Sequence, residues 1–391
     1  MKGYFRSGMR SRILIAIVLI FECLLVHAEQ IRVGMFYGAN HVRASLVVKS
    51  GTYEVMADGI SILTLEAEQS ADITESSGEI HLFFDGKNYT GYKKLRLITR
   101  DQGQFKITPS GSKPSARVYE ENLIAFSYNS HLQLVNEIDI ENYVSGVIEA
   151  ESGKGQDLEY YKVQAVISRT YALNNLTRHQ SEGYQICDAT HCQVFHGTPR
   201  VETKARLASD ATKDIVIVDH EINLITAAFH SNCGGHTLNA EAVWSKPVTY
   251  LIGKPDSFCL GMPHSNWEKT IPKKRWDEYL ENKRHPLSDD TIPNEYSFYP
   301  SEKIQYYSDS TVKIQMKSMR EDFKLRSAFF TIQSVGDSIS FIGQGFGHAV
   351  GLCQEGAMKM ATQGKRYEDI VHFYYTDVHL IPRYMMWFYR E

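Results

Sequence analysis

The apolar periodicity of this chain changes in character part-way along, and that change limits the fold more than any other feature. From residue 30 to about 124, apolar and polar residues alternate in short runs, among them Ile31-Arg32-Val33-Gly34-Met35-Phe36, Glu79-Ile80-His81-Leu82-Phe83-Phe84 and Lys94-Leu95-Arg96-Leu97-Ile98. Turn pairs such as Asp58-Gly59 and Asp85-Gly86 separate the runs. A period of two is the mark of half-buried antiparallel strands. From Leu158 to Leu176 there is no Gly or Pro, and Val163, Val166, Ile167, Ala172 and Leu173 recur at roughly helical spacing. The expectation is an α+β protein: a β-rich amino-terminal domain over 29–124, then a mixed α+β domain over 125–391. Residues 201–232 read as mixed strand. The charged stretch of about 269–340, with Pro272, Pro286, Pro293 and Pro300, reads as a peripheral insertion.

The first 28 residues stand apart. Lys2, Arg6, Arg10 and Arg12 precede the largely apolar run from Ile13 to Leu25, and Val26-His27-Ala28 offers a small-residue cleavage site. Glu22 and Cys23 interrupt the run before it reaches the roughly 20 residues that span a bilayer. An export signal cleaved before Glu29 is therefore expected in preference to a membrane anchor, with an extracytoplasmic mature chain. A net charge of −4 with 42 Lys and Arg against 46 Asp and Glu argues against nucleic acid as a partner. Of six cysteines, Cys23 leaves with the leader, and the odd remainder cannot all pair with one another.

Four segments carry candidate chemistry. The first runs from Asp139 to Ser152 and holds four carboxylates; Glu151 follows the apolar Val147-Ile148 pair and precedes a Gly-containing loop. That placement suits a general acid, whose carboxyl must sit in a partly apolar cleft for its pKa to rise. A solvated charge at a helix entry is the plainer reading. In the second segment, Lys162, Gln164 and Arg169 are placed to orient Glu151 or sugar hydroxyls, with a surface role as the alternative for Lys162. The third brings His179, Cys187, His191 and Cys192 within fourteen residues. Those are the ligand types of a closed, structural tetrahedral zinc site, and a Cys187–Cys192 disulfide is the competing reading. The fourth consists of the Gly- and His-rich stretches 230–237 and 343–357, where backbone can approach a ligand closely. They suggest the walls of a saccharide groove, carrying His230, Ser231, Gly234, Gly235, His236, Gln344, His348 and Gln354.

In order and wording these segments resemble the SpoIID/LytB domain family. The resemblance rests on Glu141-Asn142-Tyr143 with Gly146-Val147, Ala150-Glu151, Lys162 to Tyr171, Cys192-Gln193-Val194-Phe195-His196-Gly197, His230 to Thr237, and Gly343 to Ala357. It spans about 134–380. It implies action on peptidoglycan glycan strands, as a lytic transglycosylase with Glu151 as the acid/base, or as a non-catalytic enhancer of a cell-wall amidase. Tyr171 and Gln193 complete the saccharide-contacting set it implies, and it supports zinc at the His179–Cys192 loop. Ser152 stands where the family commonly has Met, Val163 where it has Ala, Phe195 where it has Tyr, and Cys353 where Ser is frequent. Beside the resemblance, Cys233 and Cys259 are expected to form a disulfide, leaving Cys353 as a buried thiol.

Overall fold

The structure, a computed structural model, describes residues 29–111, 115–199, 203–283, 295–308 and 312–388. The expected leader, 1–28, lies outside the described residues. Alternation produces strands as anticipated. β1 (Gln30–Gly34), β2 (Arg43–Ser50), β3 (Tyr53–Ala57), β4 (Ile60–Leu65), β5 (Ser70–Ser76), β6 (Glu79–Phe84), β7 (Lys87–Tyr92), β8 (Lys94–Thr99), β9 (Gln104–Pro109), β10 (Arg117–Glu120), β11 (Asn122–Tyr128) and β12 (His131–Asp139) follow one another. They form two sheets, one ordered β1-β12-β11-β8-β3-β4 and the other β10-β9-β2-β5-β6-β7, with antiparallel neighbours throughout. Every second residue points inward: Ala44, Leu46 and Val48 of β2 and Tyr53, Val55 and Ala57 of β3 are buried.

The strands do not stop at 124. β11 crosses that position and β12 runs to Asp139, so the sheets extend into the stretch expected to open the second domain. One apolar core then continues from Ile31 through the helices to Val378. β12 passes directly into α1 (Ile140–Ser152), where Asp139 caps the helix by accepting from the N–H groups of Glu141 at 2.8 Å and Asn142 at 3.4 Å. Asp157 does the same for α2 (Leu158–Asn174), the helix anticipated from the sequence. α2 packs on α1, on α3 (Thr203–Ala211) and on β14 (Ile215–Val218). The reading of 201–232 as mixed strand misses α3, whose Ala205, Ala208 and Ser209 are buried.

Further along, β15 (Phe229–His230) is followed by β16 (Asn266–Pro272), α4 (Lys273–Lys283), β17 (Ser297–Phe298), β18 (Tyr306–Ser308), β19 (Lys313–Gln315), β20 (Phe330–Val335) and β21 (Ser338–Gln344). β16, β21, β20 and β17 make a separate sheet. Its core is centred on the buried Trp276 and is distinct from the main one. The chain returns through β22 (Leu352–Cys353), α5 (Gln354–Thr362) and α6 (Tyr367–Tyr374) to β23 (His379–Pro382), which pairs with β14. β22 lies parallel to β15, pairing Phe229 with Leu352 and His230 with Cys353, so the two Gly-rich stretches meet. No helix among the described residues is long and apolar enough to cross a membrane.

Candidate active site and metal loop

Glu151 occupies the last turn of α1, half-buried, with its Oε1 accepting from the Val194 backbone N–H at 2.7 Å. Burial raises its pKa above the ordinary carboxylate value, and the Val194 N–H, which favours the charged form, offsets only part of that shift. The loop beyond α1 is held by Tyr161, whose hydroxyl donates to the Gly153 carbonyl at 2.9 Å and accepts from the Gln156 N–H at 3.2 Å. Gln354, at the start of α5, donates to the Glu151 carbonyl at 3.4 Å and to Gln164 Oε1 at 3.3 Å. Gln164 also accepts from the Tyr160 hydroxyl at 3.5 Å and donates to Ser168 at 3.2 Å. Among the described residues the Val194 N–H alone reaches the carboxylate, while Gln354 holds the Glu151 backbone and links it to Gln164 of α2. Its chain neighbours Ala150 and Gly153 line a cavity of about 430 Å³ with Arg117, Lys154 and His196, although Glu151 itself is not among the walls.

Val194 reaches Glu151 because the metal-loop segment lies against α1. A β-carbon at Gly146 would come within 2.4 Å of the Gly197 carbonyl and 2.6 Å of the Phe195 ring, so a glycine inside the helix is what permits this close approach. Below it, Tyr143 donates to Gln193 Oε1 at 3.1 Å, and Gln193 is buried. The loop's other end is fixed by β13 (Ile186–Cys187), parallel to β1. Asp188 accepts there from the N–H groups of Phe36 and Tyr37 at 2.6 and 2.9 Å and pairs with Arg117 at 2.6 Å.

Within this loop, one donor atom from each of His179, Cys187, His191 and Cys192 lies within 4.8 Å of all the others. His179 Nε2 is 3.2 Å from His191 Nδ1 and 3.4 Å from Cys192 Sγ. Cys187 Sγ is 3.7 Å from His191 Nδ1. The second ring nitrogen of His179 contacts Glu182 Oε1 at 2.6 Å, the outer carboxylate that commonly orients a metal-binding imidazole. Cys187 and Cys192 are free thiols. Two sulfurs and two imidazole nitrogens at this spacing fit a four-ligand zinc ion.

Several expected residues lie elsewhere. Arg169 is only 1% exposed and grips Glu141, through Nε at 2.8 Å and through a second, shorter contact from Nη2. Ser209 at 2.8 Å and the Asp214 N–H at 3.3 Å also donate to the same carboxylate. Arg169 therefore ties α1 to α2 and α3, and the expectation that it orients Glu151 or a sugar is corrected. Lys162 is half-buried, pairing with Glu159 at 2.6 Å and lying 5.9 Å from the Tyr367 ring centre, and among the described residues no ion pair or hydrogen bond joins it to Glu151. Tyr171 accepts from Arg178 at 2.9 Å and sits against Cys192 at the metal loop. His236 is exposed, Ser231 half-buried, and Gly234 lies buried between them. The expected Cys233–Cys259 disulfide is not formed: both are free thiols, with sulfurs 3.4 Å apart.

Gln344 and His348 line a different cavity, of about 330 Å³, together with Asn232, Trp244, Lys303, Tyr306 and Arg320; Glu151 is not among its walls. Lys303, Tyr306 and Arg320 come from the segment expected to be peripheral. Burial, reinforced by the charge of Arg320, pushes the His348 pKa down to about 4, and burial lowers His230 as well, so both imidazoles are neutral near pH 7. His230 Nδ1 is 3.1 Å from the Val350 carbonyl, and its ring lies 5.4 Å from that of His348. Sequence reasoning missed Trp244, whose indole is 5.5 Å from the His348 ring, and the buried Glu355. Glu355 accepts from Asn232 at 2.6 Å and contacts His264 Nδ1 at 2.8 Å. Its place in the motif 343–357 was the available clue.

Residues 128–218 match the family model SpoIID, described as Stage II sporulation protein. An uncharacterised protein of Brachyspira hyodysenteriae is 29% identical over 312 residues, covering 75% of this chain and 81% of its own length. The stage II sporulation protein D of Bacillus subtilis is 28% identical over 262 residues, covering 63% of this chain and 76% of that protein. The amidase enhancer of the same organism is 26% identical over 287 residues, or 59% of this chain and 39% of that protein. Over 128–218, and through these relatives, the chain is similar to the stage II sporulation protein D family, the family its motifs resemble.

Proposed function

We propose that this protein is an exported peptidoglycan lytic transglycosylase, cleaving glycan strands between N-acetylmuramic acid and N-acetylglucosamine with Glu151 as the sole acid/base. The observation that carries this reading is the half-buried Glu151 carboxyl, with its raised pKa and its N–H contact from Val194. Protonated Glu151 gives its proton to the glycosidic oxygen as the bond to the anomeric carbon breaks. The resulting carboxylate then takes the proton of the muramoyl 6-hydroxyl as that oxygen attacks the anomeric carbon, closing a 1,6-anhydro ring. Glu151 ends protonated and no water is consumed, so no second carboxylate is required, unlike ordinary glycoside hydrolysis. The separate concave surface lined by Trp244, His348 and Gln344 suits a sugar ring, with an aromatic face and hydrogen-bonding groups in reach.

His179, Cys187, His191 and Cys192 would hold a zinc ion whose four protein ligands leave no open position, so its contribution is to fix the loop. Val194 lies two residues beyond Cys192, so a fixed loop holds the N–H that orients Glu151. A second reading, a glycan-binding enhancer of a cell-wall amidase, is favoured by the likeness to the B. subtilis amidase enhancer. Mass analysis of products from purified peptidoglycan separates the readings. Termini of 1,6-anhydro-muramic acid are expected. Reducing-end muramic acid would instead indicate a water-using muramidase, and glycan binding without any product would favour the enhancer.

A further inference from the structure

A second cluster of soft ligands lies outside the loop and does not include Glu151. Cys233 follows β15, Asp256 precedes and Cys259 ends the short turn Ser257–Cys259, and Cys353 ends β22. All four are at most 1% exposed, and their Sγ and carboxylate oxygen atoms lie within 4.8 Å of one another. Cys233 Sγ is 3.4 Å from Cys259 Sγ and 3.3 Å from Asp256 Oδ2. Sulfurs about 2.3 Å from a tetrahedral ion stand roughly 3.8 Å apart, so this spacing fits one ion at the centre of the group. We propose that Cys233, Asp256, Cys259 and Cys353 bind a second, structural zinc ion.

The surroundings suit thiolates and a cation. Cys353 Sγ accepts from the Cys233 N–H and Cys259 Sγ from the Gly235 N–H, both at 3.3 Å. Asp256 accepts from Tyr374 at 2.9 Å and from the Phe258 N–H at 3.0 Å, the outer hydrogen bonds that hold a ligating carboxylate in place. Lys303 feels the charge of Asp256, but no ion pair to Asp256 is formed among the described residues, and a fully buried carboxylate is costly without a cation in contact. Three thiols would release three protons on binding, leaving a centre of about −2 charge. The half-buried Lys303 ammonium, which donates to the carbonyls of Cys233 and His236, offsets part of that charge. Gly356 leaves the room: a β-carbon there would lie 2.1 Å from the Tyr374 hydroxyl and 2.6 Å from Asp256 Oδ2. The site also gives every cysteine after the leader a ligand role, which a single disulfide does not.

This inference does not rest on the glycan-cleaving reading. Elemental analysis of the full-length mature chain should give about two zinc ions per molecule. A Cys187→Ser/Cys192→Ser variant should retain one, and adding Cys353→Ser should remove it. Retention of a single zinc in wild type that disappears in the double variant, with Cys233 recovered linked to Cys259 by non-reducing peptide mapping, would overturn the proposal and leave the loop site standing. Because these variants risk misfolding, wild type loaded with cadmium-113 provides an independent reading. Two resonances are expected, one of them with the larger downfield shift of three sulfur ligands, and a single resonance contradicts the second site.

Discussion

The two polar centres of the molecule are assembled in opposite ways. Around Glu151, most of what shapes the site lies within residues 139–197: the capped α1, the α2 network at Gln164, and the loop that delivers Val194. Around His348 the walls come from separated segments, with Asn232 and Trp244, then Lys303, Tyr306 and Arg320, then Gln344. The first centre depends on local elements locked together; the second depends on distant strands, β15 and β22, being brought side by side. The difference bears on which substitutions each centre tolerates and on how each responds to pH.

The largest effect is expected beneath the first centre. Arg169→Ala leaves Glu141 buried without its cation, which should cost about 3–5 kcal/mol of stability in denaturant titration. A loss under about 1 kcal/mol would mean that the ion pair does not unite α1 with α2 and α3.

Next in size is the loop from His179 to Cys192, the candidate zinc site. Cys192→Ser should lower turnover on glycan by about 10–100-fold, the range for disturbed support of a metal site. The change should appear in kcat more than in glycan affinity, because the Val194 N–H would lose its position while the cavity at His348 stays intact. Equal losses in both would show that the two centres are not independently built.

The smallest effects are opposite responses to pH. The Glu151 pKa is raised on folding, so the native state holds its proton more tightly than the unfolded chain does. Stability from this group is complete below the unfolded value of about 4.3 and is lost as pH rises through the folded value. Glu151→Gln, which can still accept from Val194, should therefore remove a stability decline on the rising side of that window. His348 runs the other way. With its pKa depressed to about 4, it contributes stability above the unfolded value of about 6.5 that is lost as pH falls towards about 4. His348→Gln should flatten that acid-side decline. Thermal melts of the two variants from pH 3 to 8 check the contrast, and parallel curves for both would contradict it.

Legibility in sequence followed the same division. The strands up to about residue 124 declared themselves by alternation, whereas β12 did not, and the candidate ligands His179, Cys187, His191 and Cys192 stood out by lying within fourteen residues of one another. Helix α1 was obscured because Val144, Gly146, Val147 and Ile148 have modest helix propensity; Gly146 is set by packing against Phe195 and Gly197. The role of Arg169 was unreadable because its partner Glu141 lies a helix away, and one strip of sequence cannot say which face of α2 meets it. Cys233 and Cys259 were read as a pair because Cys353 is distant in sequence; only the parallel pairing of β15 with β22 brings it to them. Trp244 carried no motif, and its place beside His348 is a tertiary fact.

The central claim is that one carboxylate carries the chemistry. The most direct measurement compares wild type with Glu151→Gln on purified glycan strands, following both turnover and glycan binding. The substitution keeps size, shape and the Val194 contact but cannot cycle a proton. Turnover should fall by at least about a hundredfold, within the range for general acid/base catalysis, while binding persists. Equal turnover in the two proteins would remove Glu151 from the mechanism.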